Sequence, residues 1–283
     1  MNTKPIEKRH CDSLLTRKVT NAGFQLYTTV REILVAEIPD SLPLANAAVL
    51  PLSVSTAASA LYVQLDLPFP SLSPKSTGKR IVIWGGSSSV GSSAIQLAVA
   101  SGLEVVATAS QANHDLVRSL GASQVFDHRA PSVIDQMASV LQPGDYVVDC
   151  IGSPDTQAKC GELVGRIGGG TLPVMLWPQG GLPQNVRAVF GESDNFLFAS
   201  SKPVCMLTDI LQVNGLDPGM VNLDVGNAVW RKFIPEALAA GKFQAKPDPR
   251  IVPGGLEKVQ EGIDMLRQGV SAQKIVIEIS RSE

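Results

Sequence analysis

IVIWGGSSSVGSSAIQLAVASG, residues 81–102, is an apolar run, a glycine-serine turn and a helical repeat in one uninterrupted stretch. The run RIVIW at residues 80–84 stops at Gly85 and Gly86. From Ser89 to Ala100, the residues Val90, Ala94, Leu97 and Ala98 then recur on one helical face. A strand that turns into a helix this way presents backbone N–H groups at a helix N-terminus, where a pyrophosphate meets unpaired donors and a favourable dipole. The dinucleotide fingerprint for such a turn is G-x-G-x-x-G. Here Gly86-Ser87-Ser88-Ser89-Val90-Gly91 places Ser88 at the middle glycine. Its hydroxyl adds a donor, while its Cβ narrows the approach. The same stretch also reads as a strand–helix turn of small residues without a ligand. The strand–helix units that follow favour the nucleotide.

Working outward, EVVATA (104–109) is the next strand, followed by a helix at 113–120 that Gly121 closes. QVFD (124–127), a helix at 131–140 and YVVDC (146–150) continue the alternation. Ser153-Pro154 then has the form of an N-cap with proline at the first helical position, opening a helix to about residue 164. GGGTLPVML (168–176) supplies a turn and a fifth strand, and NFLFAS (195–200) a sixth, with residues 177–194 between them as a long loop. A helix at 224–240, an amphipathic helix at 254–267 and an alternating strand at 273–280 complete the chain. This order predicts an α/β fold, a Rossmann-type doubly wound parallel sheet with helices on both faces. Ahead of it, GFQLYTTV (23–30) alternates like a half-buried strand, with Phe24, Leu26, Thr28 and Val30 on one face. A helix at 44–62 and a proline-serine linker at 66–79 follow.

An NAD-selective turn wants a carboxylate at the end of its second strand, to accept from the ribose hydroxyls. That end reads Ala107-Thr108-Ala109-Ser110. Without that repulsion, Ser110 and Asn113, with His128 or Arg129, can accommodate a 2′-phosphate, so NADPH is expected over NADH. Ser110 also reads as a helix N-cap, and His128-Arg129 as a solvated loop pair.

The 283 residues carry a formal net charge of −2, with 44% hydrophobic and 18% charged residues. This is the balance of a soluble globular protein, and it argues against a nucleic-acid or anionic-membrane surface. No stretch reads as long and apolar enough to span a bilayer, and the charged N-terminus shows no secretory h-region. The four cysteines are scattered and only three histidines exist. Neither a zinc signature nor a disulfide framework results, and the thiols read as the reduced cysteines of a cytoplasmic protein.

The stretches at 36–62, 81–102, 117–129, 146–153 and 271–279 together resemble the medium-chain dehydrogenase/reductase superfamily. The branch they are most similar to is that of zinc-independent quinone reductases and fungal enoyl reductases. The resemblance implies a coenzyme domain inserted in a GroES-like catalytic domain. It divides the chain into a catalytic remnant with a bridging helix (1–62), an NADPH-binding Rossmann domain (63–249) and a return to the catalytic domain (250–283). It further implies that Thr56, Cys150, Ile151 and Val174 lie near the nicotinamide. Cys150 reads either as a nucleophile or as a small apolar strand residue, and Asp149 as a loop-orienting group or a cap on the next turn. Family members carry most of the catalytic barrel before the stretch matched by residues 23–30, and about twenty residues stand there. No zinc and no general acid are carried over.

A strand at 23–30 lacking its barrel partners would leave an open edge, which predicts a homodimer, a covering arrangement of residues 1–20, or an incomplete gene model. The expected function is NADPH-dependent reduction of an activated C=C bond in a small-molecule enone, quinone or enoyl thioester of secondary metabolism. Two alternatives stay open. One is a reductase scaffold turned to a non-redox cyclisation, isomerisation or dehydration. The other is a non-catalytic NADPH-binding pseudo-enzyme.

Overall fold

Each central strand is apolar on both faces, and the fold covers both. The computed structural model describes residues 10–12, 23–28, 35–190 and 223–279. The core is built on β3 (Arg80–Trp84), β4 (Glu104–Ala109), β5 (Gln124–Asp127) and β6 (Tyr146–Asp149). These pair in the order β5-β4-β3-β6, all parallel. Within β3, Ile81 and Ile83 join one buried cluster, while Val82 and Trp84 join another. The first cluster is completed by helix α2 (Leu50–Ala58) and by α3 (Ser89–Ala100), through Ala94, Ile95, Leu97 and Ala98. The second is completed by α5 (Val133–Val140) and α6 (Pro154–Arg166), through Met137 and Leu163. A sheet buried on both sides needs near-continuous apolar strands, and these supply them.

The chain runs from β3 outward to β4 and β5, then returns to place β6 on the other side of β3. Open α/β sheets bind ligands where the order reverses, outside the carboxyl ends of the strands. The loops after β3 and β6 therefore frame the cleft. Beyond β6, an isolated parallel bridge joins Asp149 to Val174, next to β7 (Gly170–Pro173).

A parallel partner for β7, β8 (Val186–Val189), lies within the expected loop at 177–194. Its four half-buried or exposed residues carry too short an alternation to read as a strand. The sixth strand expected at 195–200 falls outside the described residues.

Strands also form at β1 (His10–Asp12) and β2 (Val35–Glu37), which pair antiparallel. The strand expected at 23–30 is not formed over 23–28. Those residues make bends, with Phe24 67% and Tyr27 77% exposed. Alternation predicts a strand only if another strand offers a ladder, and none pairs with this segment among the described residues.

The helix expected at 44–62 is present as α1 (Leu44–Ala47), α2 and a wider-pitch turn at Ser59–Gln64. The run Leu44–Gln64 is 21 residues long and contains an 18-residue stretch of mean hydropathy 1.5, long and apolar enough to cross a membrane by length and composition, contrary to the expectation above, and 61% of that stretch is buried inside the fold. It packs against α3, with the Ser93 hydroxyl donating to Ser53 Oγ across the contact at 3.0 Å. After α4 (His114–Ser119) and the second half of the sheet, the chain forms α7 (Leu223–Gly226), a wider turn at Asn227–Phe233 and α8 (Ile234–Ala239). A separate parallel pair, β9 (Asp248–Pro253) and β10 (Gln273–Glu278), is joined through α9 (Val259–Arg267).

Candidate functional site

The turn after β3 is held by the neighbouring strand. The Gly85 N–H donates to the Thr108 hydroxyl at 2.9 Å, and the Gly86 N–H to the Thr108 carbonyl at 2.8 Å. Gly85 has a φ of 82°, in the region that favours glycine. Gly91 has no such backbone need. A Cβ there would overlap the Gly85 carbonyl oxygen, so helix α3 can approach the turn this closely only with hydrogen at position 91. Ser88 is the N-cap of α3, its hydroxyl oxygen accepting from the Gly91 N–H at 3.0 Å. The hydroxyl proton is left for another acceptor. Ser89 and Val90 open the helix, and their N–H groups have no carbonyl within it to meet.

At this helix terminus stands a residue that the sequence did not single out. The Lys274 ammonium, on β10, donates to the Val49 carbonyl at 3.2 Å and to the Ser89 hydroxyl at 3.4 Å. A cation beside the positive end of a helix is an arrangement that an anion between them would favour. Only the return of the chain from the far sheet brings Lys274 here, which is why no local pattern marked it.

On the β4 side, the Asn113 amide nitrogen donates to three hydroxyls: Ser110 at 3.1 Å, Ser87 at 3.4 Å and Ser271 at 3.2 Å. Ser110 lies at the start of a short 3₁₀ turn, Gln111–Asn113, without a side-chain cap bond. Ala109 pairs with Asp127, so Ser110 and His128 leave neighbouring strand ends side by side. The Asp127 carboxylate accepts from the Arg129 N–H at 2.9 Å and lies 3.8 Å from His128 Nδ1. The structure thus gathers Gly86, Ser87, Ser88, Ser89, Val90, Gly91, Ser110 and Asn113 at one edge, with His128 beside them.

On the β6 side, Ile151 lies against the turn. A Cβ on Gly85 would come within 2.6 Å of its side chain. Ile151 is 42% exposed, while Cys150 and Val174 are buried. Burial, followed by the Asp149 carboxylate, pushes the Cys150 thiol far above its ordinary range, which fits the apolar reading of that residue. Asp149 accepts from the Ile151 and Gly152 N–H groups, both at 3.0 Å, and from the Thr156 hydroxyl at 2.8 Å. It caps the turn. Burial still raises its pKa, with the bonds from Gly152, Thr156 and Ile151 working in the opposite direction. Thr56, half-buried on α2, spends its hydroxyl on the Leu52 carbonyl of its own helix at 2.7 Å. Among the described residues, no group of three or more His, Cys, Asp or Glu is placed to hold a metal.

Comparison with known proteins bears on this edge. The family model described as zinc-binding dehydrogenase matches residues 89–193. The trans-enoyl reductase himH of Aspergillus japonicus is 92% identical over 274 residues, covering 97% of this chain and 74% of that protein. The dehydrogenase orsE of Emericella nidulans is 33% identical over 289 residues, covering 95% and 75%. Among solved structures, the CurK enoyl reductase is similar with a TM-score of 0.62 at 17% identity, over 89% of this chain and 67% of that one, a likeness of fold.

Proposed function

The chain belongs to the medium-chain dehydrogenase/reductase family, among its enoyl reductase-like members, and from that premise we propose that it reduces an activated C=C bond of a secondary metabolite with NADPH. The observation that carries the reading is the α3 terminus, where Ser89 and Val90 open the helix after the glycine-serine turn and Lys274 reaches the Ser89 hydroxyl. Preference for NADPH is supported by the hydroxyls and amide of Ser110, Asn113 and Ser87 at an edge where β4 ends without a carboxylate. The trans-enoyl reductase activity named for the 92% identical relative supports an enone or enoyl thioester as the substrate class.

The chain's own residues bind and orient. The α3 terminus and Lys274 hold the pyrophosphate, and the Asn113 cluster holds the adenosine end. The Ile151 loop, fixed by Asp149, covers the other end and keeps water away. When bound, the cofactor supplies a hydride to the β-carbon of the polarised double bond. Asp149 is buried and committed to its turn, and burial holds the Cys150 thiol far above its ordinary range, so neither is assigned as the proton donor to the α-carbon.

A calorimetric titration with NADPH, and NADH alongside, tests the first step. Selective binding of NADPH followed by its oxidation in the presence of an enone is the expected result. Binding without oxidation across enones, quinones and enoyl thioesters decides for a non-catalytic NADPH-binding protein, and binding of neither dinucleotide overturns the cofactor assignment and leaves a non-redox use of the scaffold.

A further inference from the structure

Gln157 is a fully buried polar side chain, 0% exposed, in the first turns of α6. Its amide nitrogen donates to the Gly152 carbonyl at 2.8 Å and to the Trp177 carbonyl at 3.0 Å. Its amide oxygen accepts from the Gln179 N–H at 2.8 Å. Gly152 belongs to the loop that leaves β6, and Trp177 and Gln179 to the loop that follows β7. One side chain therefore ties together two loops at the carboxyl edge of the sheet. The loops also touch directly, because a Cβ on Gly152 would come within 2.7 Å of the Leu176 nitrogen. Both loops present apolar side chains to solvent, Ile151 at 42% exposure from the first, and Leu176 at 40% and Trp177 at 48% from the second.

Burying an amide costs free energy unless its hydrogen bonds are made, and an apolar residue of similar size would fill the site without that demand. What the amide adds is geometry. Three bonds of fixed direction set the spacing of two loops that each already have their own support, Asp149 for the first and the packing of Trp177 on Phe190 at 5.4 Å for the second.

We propose that Gln157 is a positioning residue for the nicotinamide end of the cofactor. By pinning the Gly152 and Trp177 loops to each other, it sets how the exposed side chains of Ile151 and Leu176 stand against the dihydronicotinamide ring. This rests on the dinucleotide reading above, with the adenosine end over β4 and the other end over β6 and β7. The adenosine end is too far along the edge to feel the change, which separates positioning from general destabilisation.

The test uses the full chain and two ligands, NADPH and 2′,5′-ADP, which is the adenine half alone. In Gln157→Leu, affinity for 2′,5′-ADP stays within about twofold of wild type, while affinity for NADPH falls about tenfold. The emission of bound NADPH also reverts toward that of the free cofactor. Equal losses for the two ligands, or no loss for NADPH, overturn the proposal.

Gln157→Glu serves if the leucine variant fails to fold. A carboxylate there faces two carbonyls, whereas the protonated acid donates to one of them and still accepts from Gln179. Its defect in NADP⁺ binding therefore shrinks as pH is lowered, and a defect independent of pH overturns the assignment. If the wild type binds neither ligand, the dinucleotide reading itself fails and the role of Gln157 falls with it.

Discussion

At position 91 a single methyl group decides between two opposing effects. In an ordinary helix, replacing glycine by alanine gains roughly 1 kcal/mol of stability. Here the added Cβ overlaps the Gly85 carbonyl oxygen, which is backbone and cannot rotate away. Gly91→Ala is therefore expected to destabilise the fold by about 1–3 kcal/mol, read as a lower denaturation midpoint, and to weaken NADPH binding. A stabilised variant would mean that α3 can lift off the turn without cost. Ser110 offers a complementary substitution. Placing a carboxylate beside the Asn113 amide in Ser110→Asp should lower the ratio of NADPH to NADH affinity on the order of tenfold, because a 2′-phosphate is then repelled. An unchanged ratio would leave Ser110 as a turn residue only. Cys150 has its thiol pKa pushed far up by burial. Peptide mapping after iodoacetamide treatment at neutral pH should find it unmodified in the native protein and modified after unfolding.

At the scale of elements, the β6–α6 corner carries the pH dependence. Asp149 has its folded-state pKa raised by burial, so the folded state holds its proton more tightly than the unfolded state does. Stability linked to this group is present below the ordinary aspartate range and is lost as pH rises through the higher folded value. In Asp149→Asn the amide oxygen can accept from Ile151 and Gly152, and the Thr156 hydroxyl can turn to the Ser153 carbonyl, 3.0 Å away. The stability of Asp149→Asn relative to wild type should accordingly increase with pH across that window, as measured by thermal unfolding. A constant difference would mean that Asp149 does not titrate differently in the folded protein. Elements also show what a one-dimensional pattern can carry. The strands at 80–84, 104–109 and 146–149 were legible because both faces are buried and each reads as continuous apolar sequence. The segment 23–28 has the alternation of a strand without a ladder to join, and β8 has a ladder without the alternation. Pairing is a property of two segments, so neither case was decidable from one.

At the scale of the whole molecule, the C-terminal segment closes onto the turn where the sequence pattern is strongest. Lys274 reaches Ser89 across 185 residues, Asn113 reaches Ser271 across 158, and Gln96 accepts from the Gln244 N–H at 2.6 Å across 148. Lys274→Ala should weaken NADPH binding by about tenfold and make it less sensitive to salt, since a charge-assisted contact to phosphate is removed. Unaltered affinity and salt response would leave Lys274 as a brace to the Val49 carbonyl. By itself, the sequence determined the α/β class, the order of units from residue 80 to 166, the glycine-serine turn and the absence of a carboxylate where β4 ends. Each of these is written in neighbouring residues, as a period, a cap or a breaker. Only the tertiary structure decided that Lys274 reaches Ser89 at the α3 terminus, that Asp149 is spent on a turn, that Cys150 is buried, and that Gln157 joins two loops. The reason is physical: hydrogen bonds, burial and charge act through space, and residues far apart in the chain meet only once the sheet has folded.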